Sequence, residues 1–409
     1  MSIPVFVDGV TDLDAVSLNR PVNALNDLLT GATPLPLSGI EGALGERDFS
    51  NGIVRAADDG VVADGVTDNR AAMQDSINRS LSGSNPALGV AYIDLPPGII
   101  AIDGPLDIPF CAGFEIRGKG KGVTSIVQHA NNTPILHFAT DPYSHTVRLA
   151  DFGLRYATQQ GPSDTNSACV LIGGGAYSQT YDWLIERMEF ERAFRGVDCD
   201  TTDGVCAAWM LAFRDVSFFR QQGSAIRAND SVGKPNVLIS NCFITNPGGS
   251  PTPTEQAISL TAAEVTIQNL DIENWNAQHL YLSGMEIPAI IDNYHMENSS
   301  WSGAGNFDIN FVADGGFVAR GVSVAGTANR SGGGAVYVFH GYGPDAFCQI
   351  EGMNGNLVVS GGSAYPLKLE LGATGYVRGI RDGTYTDNPI DTNHADSVSG
   401  LIMTNGVIH

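Results

Sequence analysis

Three stretches of the sequence repeat one ten-residue pattern: VLISNCFITN (Val237–Asn246), VTIQNLDIEN (Val265–Asn274) and AIIDNYHMEN (Ala289–Asn298). Each has apolar residues at positions one, three, six and eight, so strand-like alternation restarts after position five. Position five is Asn in all three copies, a residue that tolerates the left-handed backbone of a sharp bend. The pattern predicts two short strands joined by a bend, with stacked Asn side chains hydrogen-bonded from copy to copy.

Weaker copies extend the repeat in both directions and start 24–36 residues apart. This spacing is typical of a solenoid. The weaker copies begin at Phe114, Val147, Trp183, Leu211, Phe317, Cys348 and Gly375. A further strand follows most copies, at 225–227, 257–260, 279–282, 308–311, 335–338 and 368–371. Three strands per coil and no alternating helices predict an all-β fold, a parallel β-helix with coils about 4.8 Å apart.

The first 110 residues differ from the repeat. Met73, Ile77 and Leu81 recur at helical spacing, with Thr67 or Asp68 available as the cap. We therefore divide the chain into an N-terminal arm (1–50), an N-terminal cap (51–110), the β-helix (111–390) and a C-terminal tail (391–409). The arm is either packed on the protein or a docking segment for a larger assembly.

The composition agrees with a soluble solenoid. The 409 residues include 49 Gly, which suits many tight turns, and 43% hydrophobic residues, which suit a buried core. The net charge of -22 argues against nucleic acid as a partner, since binding phosphates requires basic residues. No apolar run reaches the roughly 20 residues needed to cross a membrane, so we expect no membrane insertion.

A motif near the N-terminus carries a family resemblance. The segment DDGVVADGVTDNRAAMQ (Asp58–Gln74) resembles the N-terminal motif of the pectate-lyase-like single-stranded right-handed β-helix superfamily. The residues that match are Asp58, Gly60, Asp64, Gly65, Thr67, Asp68 and Ala71, while Asp59 stands where the family has an aromatic residue. The resemblance implies a right-handed β-helix in which the Asp residues of this motif are structural.

Residues 13–29 are similar to short N-terminal segments of bacteriophage tail fibre and tailspike proteins. Together, the two resemblances imply a phage tailspike or another polysaccharide depolymerase. They also imply a homotrimer on the virion tail, attached through residues 1–50, or else a secreted protein. The fold by itself does not determine the reaction.

The densest group of candidate catalytic residues lies on two adjacent coils. Positions seven and nine of the pattern face outward, and in two successive copies they are Asp271, Glu273, His295 and Glu297. From coil spacing, Glu273 and Glu297 are about 5 Å apart and Asp271 and Glu297 about 8 Å, near the separations of retaining and inverting glycosidases. Solvated acids that protect against aggregation are the alternative interpretation.

A second candidate set lies on the strand that follows. Asp308 with His279 or Tyr281 forms a possible acid–base group there. The expected substrate contacts are Arg227, Tyr281, Asn310 and Tyr337 on this strand, and Trp275 and Trp301 in the turns. An ion pair for Arg227 and a core-covering role for the two Trp residues remain open.

We expect cleavage of a bacterial surface or matrix polysaccharide within its chain, by carboxylate-based glycoside hydrolysis. Acids outnumber basic candidates at both sites, which favours hydrolysis. The alternatives are a polysaccharide lyase acting on a uronic-acid polymer, a glycan-binding tail adhesin without catalysis, and a purely structural virion protein. No cofactor and no metal are expected.

Overall fold

The computed structural model describes residues 53–83, 91–109, 112–138, 143–173, 177–199, 205–229, 234–247, 250–302, 311–329, 335–360, 363–370, 373–378, 390–391, 403–404 and 407–408. The predicted N-terminal arm lies outside these residues, as does most of the predicted C-terminal tail. The proposed division at residues 50, 110 and 390 therefore stays a prediction.

One helix, α1 (Arg70–Gly83), and a 3₁₀ turn (Ala56–Asp59) accompany the strands in the described residues. The strands up to residue 199 are β1 (Ile53–Arg55), β2 (Asp64–Asp68), β3 (Ala91–Asp94), β4 (Gly98–Ile102), β5 (Leu106–Ile108), β6 (Ala112–Arg117), β7 (Thr124–Gln128), β8 (Leu136–Phe138), β9 (Tyr143–Ala150), β10 (Gly153–Tyr156), β11 (Ala168–Ile172), β12 (Tyr177–Glu186), β13 (Glu189–Glu191) and β14 (Arg195–Cys199). The remaining strands are β15 (Val205–Ala208), β16 (Met210–Arg214), β17 (Ser217–Phe219), β18 (Ile226–Asn229), β19 (Asn236–Thr245), β20 (Ile258–Thr261), β21 (Glu264–Glu273), β22 (Leu280–Ser283), β23 (Ala289–Ser302), β24 (Phe311–Asn329), β25 (Ala335–Ser360), β26 (Ser363–Glu370), β27 (Thr374–Arg378), β28 (Ile390–Asp391), β29 (Met403–Thr404) and β30 (Val407–Ile408).

The strands stack in three parallel columns, one strand from each coil in each column. In one column β11 pairs with β14, β14 with β18, β18 with β20 and β20 with β22, all in parallel. Only β29 and β30 pair antiparallel among the described strands. The predicted fold class, a parallel β-helix with about three strands per coil, is confirmed.

The register confirms the repeat copy by copy. Phe114 pairs with Val147, Val147 with Trp183, and Trp183 with Leu211. The same position continues through Val237, Val265, Ala289, Phe317, Cys348 and Gly375. The ten copies identified from the sequence therefore lie above one another in the fold.

The bend at position five has the predicted left-handed backbone. Asn241, Asn269 and Asn293 have φ of 52°, 54° and 58°. Their side chains form a ladder, in which Asn269 Nδ2 donates to Asn241 Oδ1 at 2.8 Å and Asn293 Nδ2 donates to Asn269 Oδ1 at 3.0 Å. Gly321 follows in the next coil, where a Cβ would lie 2.6 Å from Asn293 Oδ1. The close approach of the last Asn therefore requires Gly at this position.

The core fills the inside of the coils with side chains from positions one, three, six and eight. In the repeat that carries Asn269, Val265, Ile267, Leu270 and Ile272 are all buried. Aromatic rings stack between neighbouring coils, as with Phe190 and Phe218, whose ring centroids are 5.0 Å apart. The cysteines buried in this core include Cys169, Cys199, Cys242 and Cys348.

The N-terminal motif closes the first coil, as the resemblance implied. Asp68 Oδ1 accepts hydrogen bonds from the backbone amides of Arg70, at the start of α1, and Asp103. Asp64 Oδ1 accepts from the amides of Val66 and Thr67. Met73 and Ile77 of α1 are fully buried, which confirms the predicted helix. The hydrogen bonds of Asp64 and Asp68 agree with the structural use that the resemblance implied for them. Among the described residues, no helix has the length and apolar character needed to cross a membrane.

Candidate active site

The acid–His group predicted from the repeat is assembled on β21 and β23. Asp271 is the backbone partner of His295, and Glu273 is the partner of Glu297. One ligand atom each from Asp271, Glu273 and His295 lies within 4.8 Å of the others. His295 Nε2 lies 3.2 Å from Glu297 Oε2. We call these four residues the acid cluster.

Two carboxylates of the acid cluster approach each other along one strand. Asp271 and Glu273 have carboxylate oxygens within 4.8 Å of each other because both side chains leave β21 on its outer face. Glu273 and Glu297, the pair expected from the coil spacing, occupy paired backbone positions on neighbouring coils. The Cα atoms of residues two apart on a strand are farther from each other than those of paired residues on neighbouring coils. The side chains of Asp271 and Glu273 therefore lean towards each other to bring their carboxylate oxygens within 4.8 Å.

Two carboxyls of the cluster have raised pKa values. Burial is the main cause for Asp271, where the nearby imidazole of His295 opposes the rise and the charge of Glu297 adds to it. Burial also raises the pKa of Glu273, with further contributions from Asp271 and Glu297. Asp271 Oδ1 is buried without a hydrogen-bond partner. A carboxyl in such an environment favours its protonated form, as a proton donor requires.

The histidine of the second predicted acid–base set is buried rather than exposed. His279 is 1% exposed, so the prediction that it faces outward is wrong. Its Nδ1 lies 2.7 Å from the hydroxyl of Tyr294 and its Nε2 lies 3.3 Å from the carbonyl oxygen of Trp275. Burial lowers the pKa of His279 to about 3. Asp308, its predicted partner, lies outside the described residues.

The turn between β21 and β22 explains the buried histidine. Because β22 begins only at Leu280, His279 belongs to the turn, and strand alternation does not determine its direction. Trp275 in the same turn is fully buried, so the prediction that its ring contacts a substrate is wrong and the alternative of a core-covering role is confirmed. The side chain of Trp301 lies outside the described residues.

The predicted substrate column on the third strand is wrong in register. Arg227 pairs with Ser259, and Ser259 with Tyr281, as expected. The next partner of Tyr281 is Val312, followed by His340. Asn310 and Tyr337 therefore do not continue this column. Asn310 lies outside the described residues, as does the side chain of Tyr337, whereas Tyr281 is partly exposed.

Arg227 belongs to an ion-pair network. Its Nε and Nη2 donate to Asp198 Oδ1 and Oδ2 at 2.6 and 3.0 Å. Asp198 also accepts from Arg195 Nη1 at 3.1 Å, and Arg195 contacts Glu255 through its Nε at 2.9 Å. Asp198 and Arg195 are buried. The network occupies the guanidinium of Arg227, which agrees with the ion-pair alternative rather than with a substrate contact.

An aromatic pair beside the acid cluster was not recognised from the sequence. Phe219 pairs with Thr245 and Phe243 with Asp271, so both rings belong to the same outer face as the cluster. Their ring centroids are 5.9 Å apart at 68°, and both side chains are partly exposed. Positions seven and nine of the repeat contain these residues, so the same alignment that identified the acids could have identified the pair.

Among known proteins, similarity to this chain is found only in solved structures, not in family models or in the sequences of curated proteins. No family model matches the chain, and no curated protein matches it. A protein of Geobacillus virus E2, ORF18, is 13% identical with a TM-score of 0.49, and the match covers 91% of this chain and 65% of that one. The catalytic unit of a GH87 α-1,3-glucanase from Streptomyces thermodiastaticus is 13% identical with a TM-score of 0.49, covering 87% and 69%. The gp42 tailspike of Acinetobacter phage vb_AbaP_AS12 is 13% identical with a TM-score of 0.44, covering 88% and 64%.

The assignment of the fold rests on the chain's own strand pairing. The chain is a parallel β-helix protein. This β-helix spans about two thirds of the viral protein and of the tailspike to which it is similar. At 13% identity no residue role is transferred from them, so the chemistry of this β-helix is argued from its own side chains.

Proposed function

We propose that this β-helix is a phage tailspike-type depolymerase that hydrolyses a bacterial surface or matrix polysaccharide within its chain. The observation that carries the proposal is the acid cluster, in which the pKa values of Asp271 and Glu273 are raised while a third carboxylate, Glu297, lies one coil away. Glycoside hydrolysis needs a carboxylic acid to protonate the leaving oxygen and a carboxylate to act as nucleophile or base.

The residues of the cluster divide these roles. Asp271 or Glu273 serves as the proton donor, since burial and neighbouring charges hold a proton on these carboxyls to a higher pH than usual. Glu297 supplies the opposing carboxylate, and its hydrogen bond with His295 orients it.

The test is cleavage by the purified full chain of polysaccharides prepared from candidate host bacteria. We expect new reducing ends and a rapid fall in chain length, without the ultraviolet absorbance of an unsaturated uronate. That absorbance would instead identify a lyase. Binding without any shortening of the chain would identify a glycan-binding adhesin. Either result would contradict hydrolysis.

We further propose that the protein forms a homotrimer through the outer face that precedes the bend with the Asn ladder. The acid cluster lies on the outer face that follows this bend. The outward residues of position two, on the face before the bend, are aliphatic in five of the ten copies, which have Leu184, Ala212, Leu238, Ile290 and Val318. Met210, beside this column, is 56% exposed, and a groove of about 430 Å³ lies along it. Native mass spectrometry should give a trimer for the wild-type chain and smaller species for Leu238→Glu. A wild-type monomer would contradict the proposal.

The location that we propose is the virion tail, with residues 1–50 as the attachment segment. The support is the similarity of residues 13–29 to the N-terminal segments of tail fibres and tailspikes. A chain that lacks residues 1–50 should keep its cleavage activity and fail to join virions. If the shortened chain joins virions normally, the attachment role is wrong.

A further inference from the structure

The outer face that carries the acid cluster extends over several more coils. Backbone pairing connects Glu191 to Phe219, Phe219 to Thr245, and Thr245 to Glu273. With coils about 4.8 Å apart, Glu191 and Glu273 are separated by about 14 Å along the axis. Between these two coils, the partly exposed side chains at positions seven and nine include Phe219 and Phe243.

The far end of this face has polar groups of its own. Lys121 Nζ donates to Ser217 Oγ at 3.1 Å, and Ser217 is the backbone partner of Glu189. Burial raises the pKa of Glu189, with a contribution from the neighbouring Glu191. The ammonium of Lys121 and the two carboxyls provide donors and acceptors for the hydroxyl groups of a sugar.

The charge on this face selects among polysaccharides. Its carboxylates are Glu189, Glu191, Asp271, Glu273 and Glu297, while the cations beside them are Lys121, Arg155 and Arg192. Arg192 is paired with Glu191 at 3.1 Å. With one proton held on Asp271 or Glu273, four charged carboxylates still face three cations, and this excess, together with the net charge of -22 of the whole chain, repels an anionic polymer. An uncharged polysaccharide is not repelled in this way.

We propose that the outer face from Glu189 to Glu297 is one continuous binding surface for an uncharged polysaccharide, whose chain runs along the coil axis over Phe219 and Phe243. This inference rests on the proposed function and names its substrate class. The two rings contact the apolar faces of sugar rings, the residues around Glu189 bind one end of the bound segment, and the acid cluster cleaves at the other.

Affinity electrophoresis of the full chain tests the substrate class. The gels contain either an uncharged polysaccharide (dextran, laminarin, xyloglucan or galactomannan) or an anionic one (alginate, polygalacturonate or hyaluronan). We expect at least one uncharged polymer to retard the protein and no anionic polymer to do so. Retardation by an anionic polymer, or by none of the uncharged ones, overturns the inference.

Two conservative variants test the aromatic contact. Phe219→Leu and Phe243→Leu keep apolar bulk but lose the ring face, so each should raise the Kd for the retarding polymer about five- to tenfold. Phe347→Leu is the matched control, because Phe347 is 40% exposed and forms a similar edge-to-face pair with Tyr376 at 6.1 Å outside the proposed surface. Unchanged binding by both test variants overturns the inference.

Glu273→Gln separates this inference from the proposed function. It should stop cleavage while leaving the dependence of binding on Phe219 and Phe243 in place. If the wild-type chain binds through these rings and never cleaves, hydrolysis fails and the binding surface stands. If it cleaves while both Leu variants bind normally, the binding surface fails and hydrolysis stands.

Discussion

The imidazole Nε2 of His295 lies 3.2 Å from Oε2 of Glu297, two residues further along β23. Glu297 is also the backbone partner of Glu273 in the preceding coil, and His295 is the partner of Asp271. The histidine therefore contacts one carboxylate on its own strand and faces the two carboxyls with raised pKa values on β21. This arrangement orients Glu297 and partly offsets the negative charge of the cluster.

Removal of any acid of the cluster should abolish most of the activity. Asp271→Asn, Glu273→Gln and Glu297→Gln should each lower kcat by about 10²–10⁴-fold. One of the first two residues donates the proton, the charge of Asp271 helps to raise the pKa of Glu273, and Glu297 is the opposing carboxylate. The measurement is the rate of reducing-end formation. Glu286→Gln is the control, since Glu286 is an exposed residue outside the cluster. Full activity in all three cluster variants would show that the site lies elsewhere.

Asp271→Asn should also stabilise the protein at neutral pH. The pKa of Asp271 is raised in the folded state, so its contribution to stability is present below the unfolded pKa and lost as the pH rises through the folded value. Asn has nearly the same shape and does not ionise, so the variant does not lose stability as the pH rises. We expect a higher Tm for the variant at pH 7 and a smaller difference in acid, with the exposed Asp75→Asn as the control. A lower Tm at pH 7 would contradict the assigned cause.

Buried His279 should make the fold sensitive to acid. Its pKa is about 3 in the folded protein against 6.5 ordinarily, so the unfolded chain takes up a proton first as the pH falls. The stability from this group is present above 6.5 and is lost progressively towards 3. Urea unfolding over this range should show a steeper decline for the wild type than for His279→Gln. If the stability of the wild type and of His279→Gln declined in parallel, the prediction would be contradicted. His129→Gln, a change at an exposed residue, is the control and should decline in parallel with the wild type.

The Asn ladder should contribute measurably to stability. Asn269→Gly keeps the left-handed backbone and loses two side-chain hydrogen bonds, so we expect a cost of about 1 kcal/mol. Asn269→Ala should cost about 1 kcal/mol more, because Ala is strained at a φ of 54°. Chemical denaturation measures both, with the exposed neighbour Gln268→Ala as the control. Equal costs for Gly and Ala would exclude a contribution from backbone strain.

Arg227→Ala should act on folding rather than on substrate binding. The change leaves buried Asp198 with Arg195 as its remaining described ion-pair partner, so we expect a loss of about 3 kcal/mol in the free energy of unfolding. KM for the polysaccharide should stay near the wild-type value at a temperature where the variant is folded. A raised KM with normal stability would restore Arg227 as a substrate contact.

Much of the fold was predictable because the repeat is local and periodic. Alternation with a period of two assigns each residue of a copy to the core or the surface, and the Asn or Gly at position five marks the bend. The ten copies consequently pair in the register that the alignment predicts, and the acid cluster follows from the same alignment. Asp271 and His295 are 24 residues apart in sequence, yet the repeat alone places them side by side.

The turns were not predictable in this way, because they vary in length and do not alternate. His279 and Trp275 lie in a turn and are buried, and Val312 is the backbone partner of Tyr281 where the sequence suggested Asn310. The sequence alone thus determined the solenoid, the stacking of its strands and the column of acids. Only the tertiary structure decided which side chains of the turns are buried, how closely Asp271 approaches Glu273, and that Arg227 is held by Asp198. These depend on packing and charge between coils, which no residue pattern within one coil specifies.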